Sequence, residues 1–169
     1  IANASPAGDT LPVLLALDAE IEVESRARGA RRIPINALYT GYRQLAMEAD
    51  ELITWVHLPP RHPDDHTHFR KVGTRLAQAI SKVVMAVRVR VQDGQVTAAR
   101  VAMGSVGPVP LRCTQVEAAL EGGVLDPQAA RFLDQDITPI DDIRSTETYR
   151  MTTARRVLQS TLQHISDHS

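Results

Sequence analysis

The segment SKVVMAVRVRVQDGQVTAARVAM, residues 81–103, decides the fold of this chain. Apolar side chains recur at every second position from Val83 to Val91, and Arg88 and Arg90 occupy intervening positions. This alternation predicts a half-buried β-strand. Asp93-Gly94 favours a tight hairpin turn, and residues 96–103 are the expected return strand. The segment therefore predicts an antiparallel sheet built around a long hairpin.

Shorter elements are predicted on both sides of the hairpin. The patterns indicate strands at residues 21–25, 32–35, 51–58 and 69–75, and helices at residues 9–19, 112–120, 126–133 and 146–165. One face of the last helix is expected to be buried, with Tyr149, Thr153, Val157, Leu158, Leu162 and Ile165. Because strands and helices are segregated rather than alternating, the expected fold class is α+β.

The stretch PPRHPDDHTH, residues 59–68, is too rich in proline and polar residues to form a core. We interpret it as a hinge that separates one domain at residues 1–60 from a second at residues 61–169. Its ionisable side chains are of types that bind metal ions: His62, His66, His68, Asp64 and Asp65. Metal sites need ligands that converge from rigid elements, so a solvated hinge is favoured and no metal site is expected.

The composition excludes several classes of function. The 169 residues carry 19 Lys+Arg and 20 Asp+Glu, a net charge of -1, which disfavours nucleic acid and anionic membranes as partners. No apolar run is long enough to cross a bilayer. Cys113 is the only cysteine, so an internal disulfide is impossible. A reducing compartment, and hence a cytoplasmic location, is expected.

The chain begins at Ile1 rather than at a methionine and enters directly into a loop of small residues. We therefore expect it to be a piece of a longer polypeptide. A binding site shared with the missing portion would then be incomplete here.

The opening loop NASPAGDT, residues 3–10, is the most informative stretch for function. Its small residues permit a backbone to approach a ligand closely, and Asn3, Ser5 and Thr10 add short donors and acceptors. The predicted helix follows at once, with Asp9 or Thr10 as its cap. A helix N-terminus attracts anions such as phosphate. On these local grounds alone, a simple capped turn is the favoured alternative.

A second stretch, RKVGTRLAQAISK, places Lys71, Arg75 and Gln78 around a glycine. It could lay an ammonium and an amide against a polar ring edge, and a surface turn explains it equally well. A core role is favoured for Trp55, Tyr39 and Tyr42. Cys113 has no base at a fixed spacing, so it is interpreted as a packing residue rather than a nucleophile.

Taken in order, IANASPAGDTLPVLLALDA, ADELITWVHLP and FRKVGTRLAQAISKV resemble segments of the flavoproteins of the xanthine dehydrogenase family of molybdenum hydroxylases. The stretch IANASPAGDTLPVLLALDA is similar to the second of the family's flavin-binding segments. The region from Phe69 to Leu120 is similar to the flavoprotein C-terminal domain. The likeness extends to about Thr148 and is greatest to the small, flavin-carrying subunit of bacterial xanthine dehydrogenases. It implies the C-terminal part of an FAD-binding domain followed by an antiparallel sheet packed with helices.

The resemblance also implies site residues. Asn3, Ser5 and Asp9 match positions that line FAD, and Asp9 hydrogen-bonds the cofactor there. Ile53 matches the position whose backbone meets the edge of the isoalloxazine ring. Lys71 matches the lysine beside that ring, where a positive charge stabilises the reduced flavin. No side chain of this chain is expected to be a catalytic acid or base.

In such enzymes electrons pass from a molybdenum cofactor through two 2Fe-2S clusters to FAD, which reduces NAD, as in purine catabolism. The expected partners are the missing N-terminal FAD and iron–sulfur portion and a large subunit that binds the molybdenum cofactor. The alternatives are a related hydroxylase for an aldehyde, carbon monoxide or an N-heterocycle such as nicotinate, and a non-catalytic assembly module. The family's Gly-rich flavin loop is absent, so FAD retention by this chain alone is expected to be weak.

Overall fold

The computed structural model describes residues 1–75 and 78–168. Its helices are α1 (Thr10–Ala16), α2 (Ile35–Leu38), α3 (Thr114–Leu120), a 3-10 helix (Pro127–Gln135) and α4 (Glu147–Ser166). Its strands are β1 (Glu20–Ser25), β2 (Gly29–Pro34), β3 (Tyr39–Gly41), β4 (Gln44–Leu45), β5 (Leu52–His57), β6 (Asp65–Val72), β7 (Val83–Gln92), β8 (Gln95–Gly104) and β9 (Leu111–Arg112). The mixed composition and the antiparallel pairing confirm the expected α+β class.

The strands of the described residues form three antiparallel sheets, with orders β2-β1-β5, β3-β4 and β6-β7-β8-β9. The predicted hairpin is the centre of the four-stranded sheet, in which Met85 pairs with Met103. Asp93 and Gly94 both have positive φ, at 51° and 76°. Such values suit a tight turn between twisted strands. The alternating pattern therefore located the central hairpin correctly.

One face of the four-stranded sheet carries the main hydrophobic core. Val83, Met85, Val87 and Val89 are no more than 1% exposed, and they pack with apolar side chains of α3, the 3-10 helix and α4. Thr146 caps α4 by accepting a hydrogen bond from Tyr149 N at 3.2 Å. The N-terminal end of this helix differs from the expected stripe. Tyr149 is 43% exposed beneath the Lys82 ammonium, and Arg150 is buried instead.

The other face of the sheet packs against α1, β1 and α2 through the small side chains of Ala86 and Ala102. Cations occupy neighbouring positions on this face. Three guanidinium groups meet the carboxylate of Asp18: Arg88 at 2.5 Å, Arg100 at 2.9 Å and Arg112 at 2.7 Å. Burial alone would raise the pKa of Asp18. The three cations together lower this pKa, and Arg100 contributes most.

The predicted hinge is partly wrong, because β6 begins at Asp65 and includes residues 65–68. Asp65 pairs with Arg90 across the β6–β7 ladder, and its carboxylate accepts from Arg90 Nε at 2.8 Å and from His62 N at 3.2 Å. Pairing with a long neighbouring strand and a buried ion pair therefore overcame a composition typical of a loop. The domain boundary at residue 60 stays a prediction.

The expectation for two of the aromatic side chains is also wrong. Trp55 and Tyr42 are 66% and 62% exposed, and only Tyr39 packs against a core. Trp55 lies on β5, one of the two edge strands of its sheet, together with exposed Leu52. Local sequence did not reveal that this face lacks a covering layer. In the described part of the chain, no helix is long and apolar enough to span a membrane.

Candidate functional site

The structure brings together Asp9 and Lys71, two of the residues singled out from the sequence. Asp9 lies at the end of the opening loop, and its Oδ2 accepts a hydrogen bond from Lys71 Nζ on β6 at 2.6 Å. Its Oδ1 accepts from Ser81 Oγ at 2.5 Å. Both ionic side chains keep part of their surface in solvent. We call Asp9, Lys71 and Ser81 the Asp9 cluster.

Asp9 does not cap α1, contrary to the expectation. It precedes the helix with φ −68° and ψ −31°, and its side chain makes no capping hydrogen bond. The carboxylate is turned instead toward Lys71 and Ser81, which come from a different part of the fold. A charge-assisted pair outweighs the modest gain from a cap on such a short helix.

Buried hydrogen bonds connect the Asp9 cluster to α4. Ser81 O accepts from Ser105 Oγ at 3.0 Å, and Ser105 O accepts from Arg150 Nη1 at 2.7 Å. Arg150 Nη2 also donates to Asp142 Oδ1 at 2.7 Å. Partial burial would raise the pKa of Asp142, but hydrogen bonds from Arg144 N and Arg150 hold this pKa below its usual value. The position of Asp9 is thus coupled to the C-terminal helix.

The opening loop is anchored at two points, one just after β8 and one on β3. Ser105 N donates to Pro6 O at 2.8 Å, and this contact requires Gly104, since a Cβ there would lie 2.9 Å from Pro6 O. Near the start of the loop, Tyr39 Oη donates to Ile1 O at 3.4 Å. Burial raises the pKa of Tyr39 to about 12, so its hydroxyl stays a donor at neutral pH.

The remaining residues proposed for the cofactor are Asn3, Ser5 and Ile53. Asn3 is exposed in the opening loop, and Ser5 Oγ accepts from Ala7 N at 3.3 Å within that loop. Ile53 pairs with Val23 in the β1–β5 ladder, and its side chain packs against the core beneath α1. Among residues 1–75 and 78–168, no recorded hydrogen bond or ion pair joins these three to Asp9 or Lys71.

A buried carboxylate fixes the start of β5, two residues before Ile53. Arg31 binds Glu51 in a bidentate manner, with Nε–Oε1 2.7 Å and Nη2–Oε2 2.8 Å. Glu48 N donates to the same carboxylate at 2.8 Å. The hydrogen bond from Arg31 is the main reason that the pKa of Glu51 falls to about 2. The backbone at Ile53 is therefore held by pairing with β1 and by this ion pair directly before the start of β5.

A cleft of about 690 Å³ adjoins the opening loop. Its walls include Pro6 and Ala7 of the loop, Ser81 and Ser105 beneath it, and Arg150 of α4. Asp9 and Lys71 are not among the lining residues, and Ser81 is the side chain that connects them with the cleft. The volume suits a small organic ligand or part of a larger one.

In the segment after Lys71, the side chain of Arg75 contacts the backbone of Gln78. The Arg75 guanidinium donates to the backbone oxygen of Gln78, from Nη2 at 2.7 Å and Nε at 3.2 Å. Gln78 itself has a positive φ of 52°. Arg75 therefore holds the backbone of Gln78, and residues 76 and 77 of this predicted stretch lie outside the described residues.

Two other groups considered from the sequence have structural explanations. Asp65 is bound to Arg90, and Asp64 Oδ2 accepts from Gln92 Nε2 at 2.8 Å. Among the described residues, no three His, Cys, Asp or Glu side chains converge to hold a metal ion. Cys113 is fully buried in the core, where burial raises the pKa of its thiol, so it is a packing residue.

Sequence reasoning missed Ser81, Ser105 and Arg150. Ser81 lies two residues before the start of β7, and Ser105 follows Gly104 at the end of β8. Small polar residues at adjacent strand ends were a usable signal, because antiparallel neighbours bring such ends together. Nothing in the sequence marked Arg150, which lies among residues expected to be solvated or apolar.

Two family models match the chain. The CO dehydrogenase flavoprotein C-terminal domain matches residues 68–165, and the FAD binding domain in molybdopterin dehydrogenase matches residues 1–61. These matches confirm the resemblance that the sequence motifs indicated.

Curated relatives and solved structures agree with this assignment. The putative xanthine dehydrogenase FAD-binding subunit of Escherichia coli strain K12 is 31% identical over 158 residues, which are 89% of this chain and 53% of that protein. The nicotinate dehydrogenase FAD-subunit of Eubacterium barkeri is 34% identical over 131 residues, 74% of this chain and 43% of that protein. This chain thus spans about half the length of the relatives it matches.

The fold is shared with reconstituted CO dehydrogenase from Oligotropha carboxidovorans, at a TM-score of 0.87 and 23% identity. That likeness covers 94% of this chain and 56% of the solved one. With the domain match over residues 68–165, these likenesses show that the chain belongs to the molybdenum hydroxylase flavoprotein family that includes the xanthine dehydrogenase FAD-binding subunits.

Proposed function

We propose that this chain forms one wall of the FAD site in a xanthine-dehydrogenase-like molybdenum hydroxylase. The observation that carries the proposal is the 2.6 Å contact between Asp9 and Lys71, which are 62 residues apart in sequence. The names of the sequence relatives, among them FAD-binding subunits, support the choice of cofactor. In this proposal residues 1–60 are the end of the FAD-binding domain, and residues 61–169 are the flavoprotein C-terminal domain.

The chemistry of the Asp9 cluster fits a flavin. An ammonium has three donors and a carboxylate has about four acceptor positions, and the recorded contacts use only one donor of Lys71 and two acceptor positions of Asp9. Lys71 can therefore donate to a ring carbonyl, while Asp9 accepts from a ring N–H or a ribityl hydroxyl. The opening loop of small residues next to them permits a ring to approach the backbone.

When bound, FAD supplies two-electron and one-electron exchange, while the protein supplies binding, orientation and electrostatics. The positive charge of Lys71 stabilises negative charge on the reduced ring. Asp9 holds the ammonium in place, and Ser81 fixes the carboxylate from the other side. In the same proposal Asn3 and Ser5 line the cofactor, and the backbone of Ile53 meets the ring edge.

The proposed role in the whole enzyme is electron relay. We propose that electrons come from a molybdenum cofactor in a large subunit through 2Fe-2S clusters, and that NAD is the final acceptor, in the cytoplasm. Since these flavin-side residues do not touch the hydroxylated substrate, they serve equally well in a related enzyme for an aldehyde, carbon monoxide or an N-heterocycle.

The exposed face of β5 supports a covering partner. Leu52, Trp55 and Leu58 are 74%, 66% and 54% exposed on and just after this edge strand. Apolar patches of this kind usually mark a contact surface. We propose that the rest of the FAD-binding domain, in the part of the longer relatives that this chain does not span, covers it.

The test uses the complete subunit in its enzyme complex with the variant Asp9→Asn, which keeps the shape of the side chain and removes its charge. A hydrogen bond to a charged group is worth about 1.5–3 kcal/mol, so FAD retention should weaken roughly 10- to 100-fold. The measurement is the flavin absorbance per subunit after gel filtration, with a circular dichroism melt to show that the fold persists.

Asp50→Asn is the matched control, because it removes a carboxylate from a surface ion pair with Arg28 outside the cluster. It should leave the flavin content unchanged. Full FAD content and normal NAD reduction in both Asp9→Asn and Lys71→Met would contradict the flavin role. That result would favour a non-catalytic assembly module.

A further inference from the structure

A second cleft, of about 380 Å³, lies between strand β6 and helix α4 on the helix-covered side of the sheet. Its polar lining consists of His68 and Arg70 from β6 and Arg156, Ser160 and His164 from α4, with the buried Thr161 beside them. We call it the β6–α4 cleft. Residues two apart on a strand and four apart on a helix share one face, so both elements present these side chains toward the same space.

The β6–α4 cleft is separate from the Asp9 cluster, although Arg70 and Lys71 are neighbours in sequence. Arg70 pairs with Met85 in the β6–β7 register, and Met85 belongs to the helix-side core. Lys71 pairs with Val84 and reaches Asp9 on the side of α1. Since successive residues of a strand face opposite sides, the two cations serve different surfaces of the same sheet.

The charge of the β6–α4 cleft is not compensated from within. None of the described side chains that line it is acidic. Within residues 1–75 and 78–168, no ion pair or hydrogen bond is recorded for the side chains of Arg70 and Arg156. Elsewhere the fold pairs its arginines closely, as with Arg88, Arg100 and Arg112 around Asp18.

The two histidines of the cleft lie close to each other. The rings of His68 and His164 are 5.7 Å apart between centroids. The pKa of His68 is lowered, mainly by burial and to a smaller extent by the neighbouring His164 and Arg70. Like charges held together in a folded protein raise its free energy, and a bound anion offsets that cost.

We propose that the β6–α4 cleft binds the phosphate or diphosphate group of a small molecule. Two guanidinium groups from facing elements match the donor pattern that oxyanions of phosphorus require. The Ser160 hydroxyl and the two imidazole rings add further hydrogen-bond donors. A volume of about 380 Å³ accommodates a diphosphate and part of the molecule attached to it.

The test is calorimetric titration of inorganic pyrophosphate into the complete subunit after it has been loaded with FAD and freed of unbound FAD, so that the proposed flavin site is filled and no free diphosphate competes. One pyrophosphate per chain should bind. Each of the variants Arg70→Gln and Arg156→Gln should weaken binding about tenfold, as expected for the loss of one charged contact. Both arginines are exposed, so the variants should fold, which a thermal melt verifies.

Arg26→Gln is the matched control, because Arg26 is an exposed arginine in the turn between β1 and β2, outside the cleft. Unchanged binding in this variant supports a specific site, and an equal loss would show only general attraction of anions. Absence of pyrophosphate binding at about 1 mM would overturn the proposal. Arg70-dependent binding of a glutamate-rich peptide without pyrophosphate binding would overturn it in favour of a protein-docking surface.

To distinguish sources of the phosphate, the same titration is repeated with inorganic phosphate and with ADP. Tighter binding of ADP than of pyrophosphate would assign the cleft to a nucleotide. Equal binding of the two would assign it to the diphosphate group alone. Either result supports the proposal and narrows the ligand.

Discussion

The two faces of the four-stranded sheet are built in different ways. The face toward α4 carries large apolar side chains such as Met85, Val87 and Met103, all within one continuous core. The face toward α1 carries Ala86 and Ala102, with arginines around the Asp18 carboxylate. The packing on the α4 face is therefore stabilised mainly by burial of apolar surface. On the α1 face, close approach of the backbone and charge pairing also contribute strongly.

This difference explains where the candidate flavin site lies. Small residues on the α1 face let the opening loop come within hydrogen-bond distance of the sheet, as between Pro6 and Ser105. Polar and ionic contacts can exchange partners with a ligand, whereas a tightly packed apolar layer cannot do so without leaving a cavity. Substitutions on the two faces should separate these contributions.

The largest effect is expected from Leu162→Ala on the helix-covered face. Leu162 is fully buried against the sheet, and truncation of such a side chain costs about 2–5 kcal/mol through lost burial and a residual cavity. Urea unfolding of wild type and variant measures the loss. Gln159→Ala on the exposed side of α4 is the control and should change stability little. A loss for Leu162→Ala as small as for the control would mean that this face is not the main core.

A smaller effect is expected from Gly104→Ala, which tests the close approach on the α1 face. A Cβ at this position would lie 2.8 Å from Val84 Cγ1 and 2.9 Å from Pro6 O, so the opening loop must shift. Overpacking of this kind costs about 1–3 kcal/mol. The measurements are urea unfolding and hydrogen exchange of the Ser105 amide, which should become faster.

Gly123→Ala is the matched control for Gly104→Ala, because a Cβ at Gly123 meets nothing within 4 Å. Its free energy of unfolding should stay close to that of wild type. Slow Ser105 exchange in Gly104→Ala, equal to that of the control, would show that the loop does not depend on a glycine here.

The smallest effect is expected from Asp18→Asn, which removes the charge that three arginines share. Asn tolerates the positive φ of 52° at this position, so the backbone should be unchanged. The carboxylate is partly exposed, so the loss near neutral pH should be about 1 kcal/mol or less and should shrink in high salt.

The pH dependence of Asp18→Asn has a definite sign. Because the folded state lowers the pKa of Asp18, its contribution is complete above the ordinary aspartate value of 3.8 and is lost as the pH falls below that value. Wild type and variant should therefore converge in acid, which unfolding curves at several pH values can measure. A difference that grows toward acid pH would contradict this account of the cluster.

Local patterns were sufficient for much of the fold. The alternation in residues 83–91 located β7, and Thr146 marked the start of α4. Only the second half of the strand Asp65–Val72 was predicted, because its first residues are extended through their pairing with β7. The exposure of Trp55 was missed for a similar reason, since an apolar strand does not reveal whether a second layer covers it.

The sequence by itself determined the period of each element, the family resemblance, and the choice of Asp9 and Lys71 as candidate residues. Tertiary structure alone decided that Ser81 completes their cluster, that Arg150 is buried beneath Ser105, and that Arg70 faces a different cleft from Lys71. The physical reason is the distance along the chain over which each feature is determined. Periodicity is set by neighbouring residues, whereas partners of charges depend on how segments far apart in the chain pack against one another.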